Sequence, residues 1–201
     1  YVNPLAKEIQ LPDLPFDWND VSRVTFIACG TSYHAAMIAK YWIEQTAQIP
    51  VDIDIASEFR YRKPVFTPGG VAIFISQSGE TIDTLAALRH AKDAKQHIIT
   101  IVNRPESTMA READVVLETL VGPEIGVAST KAFTGQLVVL ATLSLAIARA
   151  RGTLAAEEEK AQICELMRIS THIKDVLRYV EQYRNIARSL VDHQCVLYLG
   201  R

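Results

Sequence analysis

The sequence predicts an α/β fold, a three-layer sandwich in which helices cover both faces of a five-stranded parallel sheet. Three observations predict it. Short apolar runs recur along the chain, at Val24–Cys29, Val71–Ile75 and Ile98–Val102 among others. These runs are nearly continuously apolar instead of alternating, as strands buried on both faces are. Between them lie stretches with helical spacing, and that alternation is the signature of βαβ units.

In chain order, residues 1–22 hold three of the eight prolines, Pro4, Pro12 and Pro15, and show little periodicity. They read as an irregular lead-in or linker. The α/β domain is expected over residues 23–152. Its first strand, Val24–Cys29, ends at Gly30. From Ser32 to about Ala47 the residues Ala36, Ala39, Ile43 and Ala47 share one helical stripe. A short alternating strand follows Pro50 at Val51–Ile55, and another strand, Val71–Ile75, follows Gly69-Gly70. Thr81–Lys95 is a helix with Leu85, Leu88 and Ala91 on one side. The Ile98–Val102 strand, a helical turn at Ser107–Glu112, a last strand at Val115–Leu117 and a long helix over Ser129–Arg151 complete the domain. Residues 153–195 change character: Leu166, Ile169, Ile173, Val176, Val180, Tyr183, Ala187 and Leu190 step by three and four, as an amphipathic helix or two do. A coiled-coil partner helix is one reading, and a segment packed on the domain is the expected one. Residues 196–201, Val-Leu-Tyr-Leu-Gly-Arg, resemble a strand opening a further unit.

Composition narrows the function. Lys and Arg total 21 against 23 Asp and Glu, a formal net charge of −2, so there is no global field to attract a nucleic acid. Three separated cysteines, Cys29, Cys164 and Cys195, form neither a disulfide framework nor a CxxC pair, and a reducing compartment is the default. His34 closely follows the first hydroxyl-rich turn, while His90, His97, His172 and His193 are scattered without ligand spacing, so no metal is expected, and no cofactor either. The uncharged run Ala132–Ala148 approaches the length of a membrane span. It carries Thr134, Gln136, Thr142 and Ser144, and a buried helix is expected instead.

Chemistry is expected where strands hand over to helices, because ligands of parallel sheets bind beyond the carboxyl ends of the strands. Three such junctions are dense in small hydroxyl residues: Cys29-Gly30-Thr31-Ser32, Ser76-Gln77-Ser78-Gly79-Glu80-Thr81, and Glu124 through Lys131. At the second, a helix N-terminus offers unpaired N–H groups and partial positive charge. Gly79 would let the backbone approach a ligand. Ser76, Ser78 and Thr81 would add hydroxyl donors, and together these groups suit a phosphate dianion without a lysine or arginine. An ordinary N-cap by Ser78 is the plainer alternative. At the third junction Ser129 or Thr130 could cap the long helix, and Lys131, unfavourably placed in its first turn, could pair with Glu124 or a ligand. The segment Ser57–Lys63 is a charged loop, expected to be a solvated face, with a pocket rim or a contact to a second subunit as the alternatives. Cys29 is expected to be buried. The P-loop, the dinucleotide-binding glycine fingerprint and the nucleophile elbow are all absent, so the phosphate should belong to a small molecule.

Four segments carry a family resemblance. CGTSYHAA at Cys29–Ala36, IASEFRYR at Ile55–Arg62, SQSGETIDTL at Ser76–Leu85 and EIGVASTKAFT at Glu124–Thr134 resemble the glutamine:fructose-6-phosphate aminotransferases, or glucosamine-6-phosphate synthases. The match is to their first sugar isomerase (SIS) module, with its flavodoxin-like fold. The resemblance implies that Ser32, Ser76, Gln77, Ser78 and Thr81 bind a sugar phosphate, fructose 6-phosphate or glucosamine 6-phosphate. It implies that Thr31, Val127 and Ser129 lie along the sugar. It places the general base, the ring-opening histidine and the imine-forming lysine in a second SIS module and a C-terminal tail, so no catalytic residue is expected here, and Lys131 does not fit that role. It further implies a glutaminase domain, a homodimer, the cytoplasm and the route to UDP-N-acetylglucosamine. The 201 residues are then expected to bind the sugar phosphate without turning it over. A non-catalytic sugar-phosphate sensor is the alternative reading, and a complete phosphosugar isomerase a third.

Overall fold

The computed structural model describes residues 1–126 and 129–199. By contact the chain divides into Tyr1–Ile163 and Cys164–Arg201. The first unit opens with two short antiparallel strands, β1 (Val2–Asn3) and β2 (Glu8–Ile9). The α/β repeat follows as β3 (Val24–Ala28), α1 (Gly30–Ala47), β4 (Val51–Ile55), α2 (Ala56–Phe59), β5 (Val71–Ser76), α3 (Ile82–Asp93), β6 (His97–Val102), α4 (Thr108–Glu112), β7 (Val115–Glu118) and α5 (Lys131–Ala150). Helix α6 (Ala156–Leu177) begins in this unit, and α7 (Val180–Leu190) lies in the other.

The main sheet has the order β4-β3-β5-β6-β7 and every pairing in it is parallel. All six residues of the central strand β5 are buried, which is why its sequence is an unbroken VAIFIS. The pleat divides them between two cores. Val71, Ile73 and Ile75 pack on the side of α1 and α5, while Ala72 and Phe74 pack on the side of α2, α3 and α4. On the first side α1 presents mostly alanine, Ala35, Ala36, Ala39 and Ala47, so the helix lies close to both the sheet and α5. The long apolar helix of the sequence is this α5, with eleven buried residues including Gln136, Thr142 and Ser144. It is long and apolar enough to cross a membrane by composition, yet most of it is covered within the fold.

Polar ties close this layer. Thr46 Oγ1 and Ser144 Oγ share a hydrogen bond of 2.9 Å between α1 and α5. Arg151, just past α5, donates to the carbonyls of Ala47 at 2.9 Å and Trp18 at 2.8 Å. Arg151→Ala removes a cation that ties the end of α1 to the segment before β3, and is expected to cost about 2 kcal/mol in urea unfolding. A change below about 0.5 kcal/mol, the level of an ordinary surface substitution, would show those bonds to be energetically idle.

Two local readings differ from the sequence expectation. The charged Ser57–Lys63 segment begins as α2, anchored by Phe59, which is fully buried; Arg60 pairs with Asp83 on α3, and Arg62 pairs with Asp54. One buried aromatic within a charged stretch produces no periodicity, so the pattern read as loop. Residues 1–22 are docked, not free: Ile9, Trp18 and Val21 are buried, Arg149 donates to Ile9 O at 3.0 Å, and the Tyr1 hydroxyl accepts from the Glu118 N–H at 2.5 Å. Burial holds the Tyr1 hydroxyl above its usual pKa. Such anchors are spaced too irregularly to register as an element.

In the second unit α7 carries no buried residue, with Tyr183 and Ile186 about half exposed. Val196–Leu199 is exposed and forms no strand. A strand needs a paired edge, and the described elements of its own unit are helical.

Candidate functional site

The sheet order determines where a site can form. From β3 the chain crosses to β4 on one side, then returns to place β5 on the other side of β3. At such a switch the loops leaving the two central strands diverge and leave a crevice beyond their carboxyl ends. A cleft of about 390 Å3 occupies this position. It is lined from the β3–α1 junction by Thr31 and Ser32, from the β5–α3 junction by Ser76, Gln77, Ser78 and Thr81, and from the approach to α5 by Ser129. Every described residue that the sequence reading assigned to the sugar phosphate thus meets in one place. Val127 lies outside the described residues.

Hydrogen bonds set the shape of the β5–α3 loop. Ser76, 4% exposed, accepts from the Gly79 N–H at 3.1 Å and shares a hydrogen bond of 3.0 Å with the Thr81 hydroxyl. Thr81 stands at the N-cap position of α3 without a side-chain capping bond, so its hydroxyl is committed to the loop and not to the helix. Ser78 accepts from the Glu80 N–H at 3.2 Å, a local turn, and the N-cap reading of Ser78 is therefore corrected. Glu80 turns away to accept from the Thr108 N–H at 2.7 Å, and that backbone bond holds its carboxyl below the usual value of 4.5.

Gly79 also differs from its sequence reading. Its φ is +66°, and a Cβ there would stand 2.1 Å from Ser107 Oγ. The missing side chain makes room for the start of α4 and not for a ligand. Ser107 in turn caps α4 by accepting from the Ala110 N–H at 3.4 Å.

At the β3–α1 junction Cys29, not a hydroxyl residue, takes the N-cap position, with no side-chain capping bond. It is partly exposed and lines the cleft, so it is not the sealed strand end the sequence suggested. Ser32 is 8% exposed and accepts a 2.9 Å hydrogen bond from the side-chain amide of Gln136 on α5. Before α5, Thr130 is at the N-cap position without a side-chain capping bond. Glu124 satisfies that helix end, accepting from the Ala132 N–H at 2.9 Å. Among the described residues no ion pair joins Glu124 to the exposed Lys131.

Two residues important to this geometry were not singled out from sequence as part of the site. Gln136 was noted only as a polar interruption of an apolar run. Thr84, one turn into α3, lines the cleft with a buried hydroxyl that meets no partner among the described residues. The signal for both is a polar residue on the buried stripe of a helix.

The cleft therefore joins neutral hydroxyl and amide donors to the N-terminal ends of α1 and α3. The described residues lining it include no lysine or arginine. Such an arrangement can hold an anion by oriented dipoles and hydroxyls, and the described residues lining it include no His, Asp or Glu.

Fold and site together define a sugar isomerase domain. Comparison with known families agrees, since the SIS domain matches residues 19–146, and the chain belongs to that family. Among its relatives, the glutamine–fructose-6-phosphate aminotransferase (isomerizing) of Zymomonas mobilis is 51% identical over 201 residues, and that of Mesorhizobium japonicum is 54% identical over the same length. In each case the match covers 100% of this chain and 33% of the relative, so the chain spans about a third of the length of these curated relatives. A solved structure, the C-terminal domain of glucosamine-fructose-6-phosphate aminotransferase from Francisella tularensis, is 42% identical with a TM-score of 0.87, covering 92% of this chain and 52% of that one. The glucosamine-6-phosphate deaminase of Thermotoga maritima is more distant, at 28% identity and a TM-score of 0.62 over 72% of this chain and 44% of that one. The aminotransferase resemblance read from the four sequence segments is thus supported along the whole chain.

Proposed function

We propose that this chain is the first isomerase module of an isomerising glutamine:fructose-6-phosphate aminotransferase, and that its cleft holds the phosphate of fructose 6-phosphate or glucosamine 6-phosphate. The observation that carries the reading is the convergence of the hydroxyl junctions at the switch between β3 and β5. In this reading the hydroxyls of Ser32, Ser76, Ser78 and Thr81, the Gln77 amide and the first N–H groups of α3 surround the phosphate oxygens. Thr31, Val127 and Ser129 lie along the sugar. The module's task is to anchor and orient the substrate, and the proton transfers and imine chemistry belong to residues of a second SIS module. Ammonia would come from a glutaminase domain of the same protein. The overall reaction is glutamine plus fructose 6-phosphate to glucosamine 6-phosphate plus glutamate, feeding UDP-N-acetylglucosamine synthesis, in a cytoplasmic homodimer. The identity of the relatives supports the reaction, and their greater length leaves room for the other parts.

Calorimetric titration tests the binding role. Fructose 6-phosphate is expected to bind about 100-fold more tightly than fructose, because several charge-assisted hydrogen bonds go to the phosphate alone. Equal affinity for the two would remove the phosphate site. Ketose–aldose interconversion by the 201 residues is expected to stay at background, and measurable turnover would overturn the assignment of catalysis to another module.

A further inference from the structure

We infer that Gln136 is a positioning residue for the anion site, fixing the hydroxyl of Ser32 as a donor into the cleft. The inference rests on the phosphate reading above and deepens it. Gln136 is 1% exposed, and its Nε2 donates to Ser32 Oγ at 2.9 Å across 104 positions of sequence. A serine hydroxyl has one hydrogen and two lone pairs. Once the amide N–H occupies a lone pair, the serine hydrogen must point elsewhere. Ser32 is itself part of the cleft wall, so the open direction faces the ligand.

The orientation of the amide gives this contact its sense. With the oxygen facing Ser32, the serine would donate to glutamine and present only lone pairs to the cleft, which repel an anion. In the structure the nitrogen faces Ser32, and Gln136 Oε1 is buried without a donor among the described residues. An unpaired buried carbonyl oxygen is costly. A buried amide satisfied at one end and unsatisfied at the other is poorly explained by stability alone. It is explained if the bond to Ser32 serves the site. The same contact links α5 to the first turn of α1, so the position of Ser32 depends on the packing of two helices instead of on its own loop.

The test is a double-mutant cycle on fructose 6-phosphate affinity, using the full chain, with thermal unfolding followed in parallel. Gln136→Met keeps the length of the side chain and removes the donor. It is expected to weaken binding about fivefold, the worth of one neutral hydrogen bond, while Ser32→Ala weakens it by more than about tenfold. The decisive result is the pair: in the Ser32→Ala background, Gln136→Met is expected to change affinity less than about twofold, because the hydroxyl it orients is gone. A role confined to helix packing predicts the same loss in both backgrounds, and that outcome would overturn the inference, as would unchanged affinity in Gln136→Met. If the unsubstituted chain binds fructose 6-phosphate no better than fructose, the phosphate reading itself fails, a result separate from a failed cycle. Fitted stoichiometry reports the folded fraction, so a partly unfolded variant still yields an affinity.

Discussion

Gly79→Ala is expected to destabilise the chain by about 3 kcal/mol, seen as a lowered urea midpoint at unchanged slope. Two independent costs combine. The residue sits at φ +66°, where an L side chain strains the backbone, and its Cβ would fall 2.1 Å from Ser107 Oγ and 2.5 Å from Ser107 Cβ. Relief would require Ser107 to move, and Ser107 holds the N-terminus of α4. Gly30 supplies the internal control. Its φ is +56°, but a Cβ there meets nothing within 4 Å, so Gly30→Ala carries the backbone strain alone. About 1 kcal/mol is expected for it. Equal losses at the two positions would mean that the Ser107 contact relaxes freely and the close approach of α4 has no energetic weight.

The second large effect is on binding. The double substitution Ser76→Ala/Thr81→Ala is expected to weaken fructose 6-phosphate binding about 100-fold, through loss of the one hydroxyl hydrogen that this hydrogen-bonded pair leaves for a charged group and of the loop shape the pair holds. The single substitutions should not add up to the double. The two hydroxyls bond to each other at 3.0 Å, and Ser76 also receives the Gly79 N–H, so removing either one disturbs the other. Fructose serves as the control ligand, its weak binding expected to be unaltered. Affinity of the double variant within about threefold of the parent, with the fold intact, would remove this loop from the phosphate site.

The strands were the most legible part of the sequence. A central strand with both faces covered is apolar along most of its length, and Val71–Ile75 can hardly be read otherwise; the edge strand Val51–Ile55 was found at both its ends because it alternates and follows a proline. The three junctions were equally plain, since hydroxyl residues at strand ends have few structural reasons to cluster. What the sequence hid was long-range. Glu124 caps α5 from eight positions away, Gln136 reaches Ser32 across 104 positions, and Gly79 is needed because a serine 28 positions later comes to rest against it. No local propensity or periodicity encodes which distant side chain fills a given space. Isolated aromatic anchors such as Phe59 and Trp18 escaped for a related reason: one buried ring satisfies packing without creating a pattern.

The absence of cations among the described lining of the cleft has a consequence for how it would select a ligand. A lysine or arginine cluster spreads its attraction over a Debye length, roughly 10 Å in moderate salt, and collects any polyanion within range. Hydroxyls, amides and helix ends act as dipoles whose influence fades within the first turn of contact. A cleft built this way is nearly invisible at a distance and discriminates only on contact, by shape and by the direction of each donor. If the cleft holds the phosphate as proposed, its affinity is expected to depend little on ionic strength. Selectivity for a small phosphate ester then rests on the exact placement of a few hydrogens, which is why a buried amide on a neighbouring helix can matter to it.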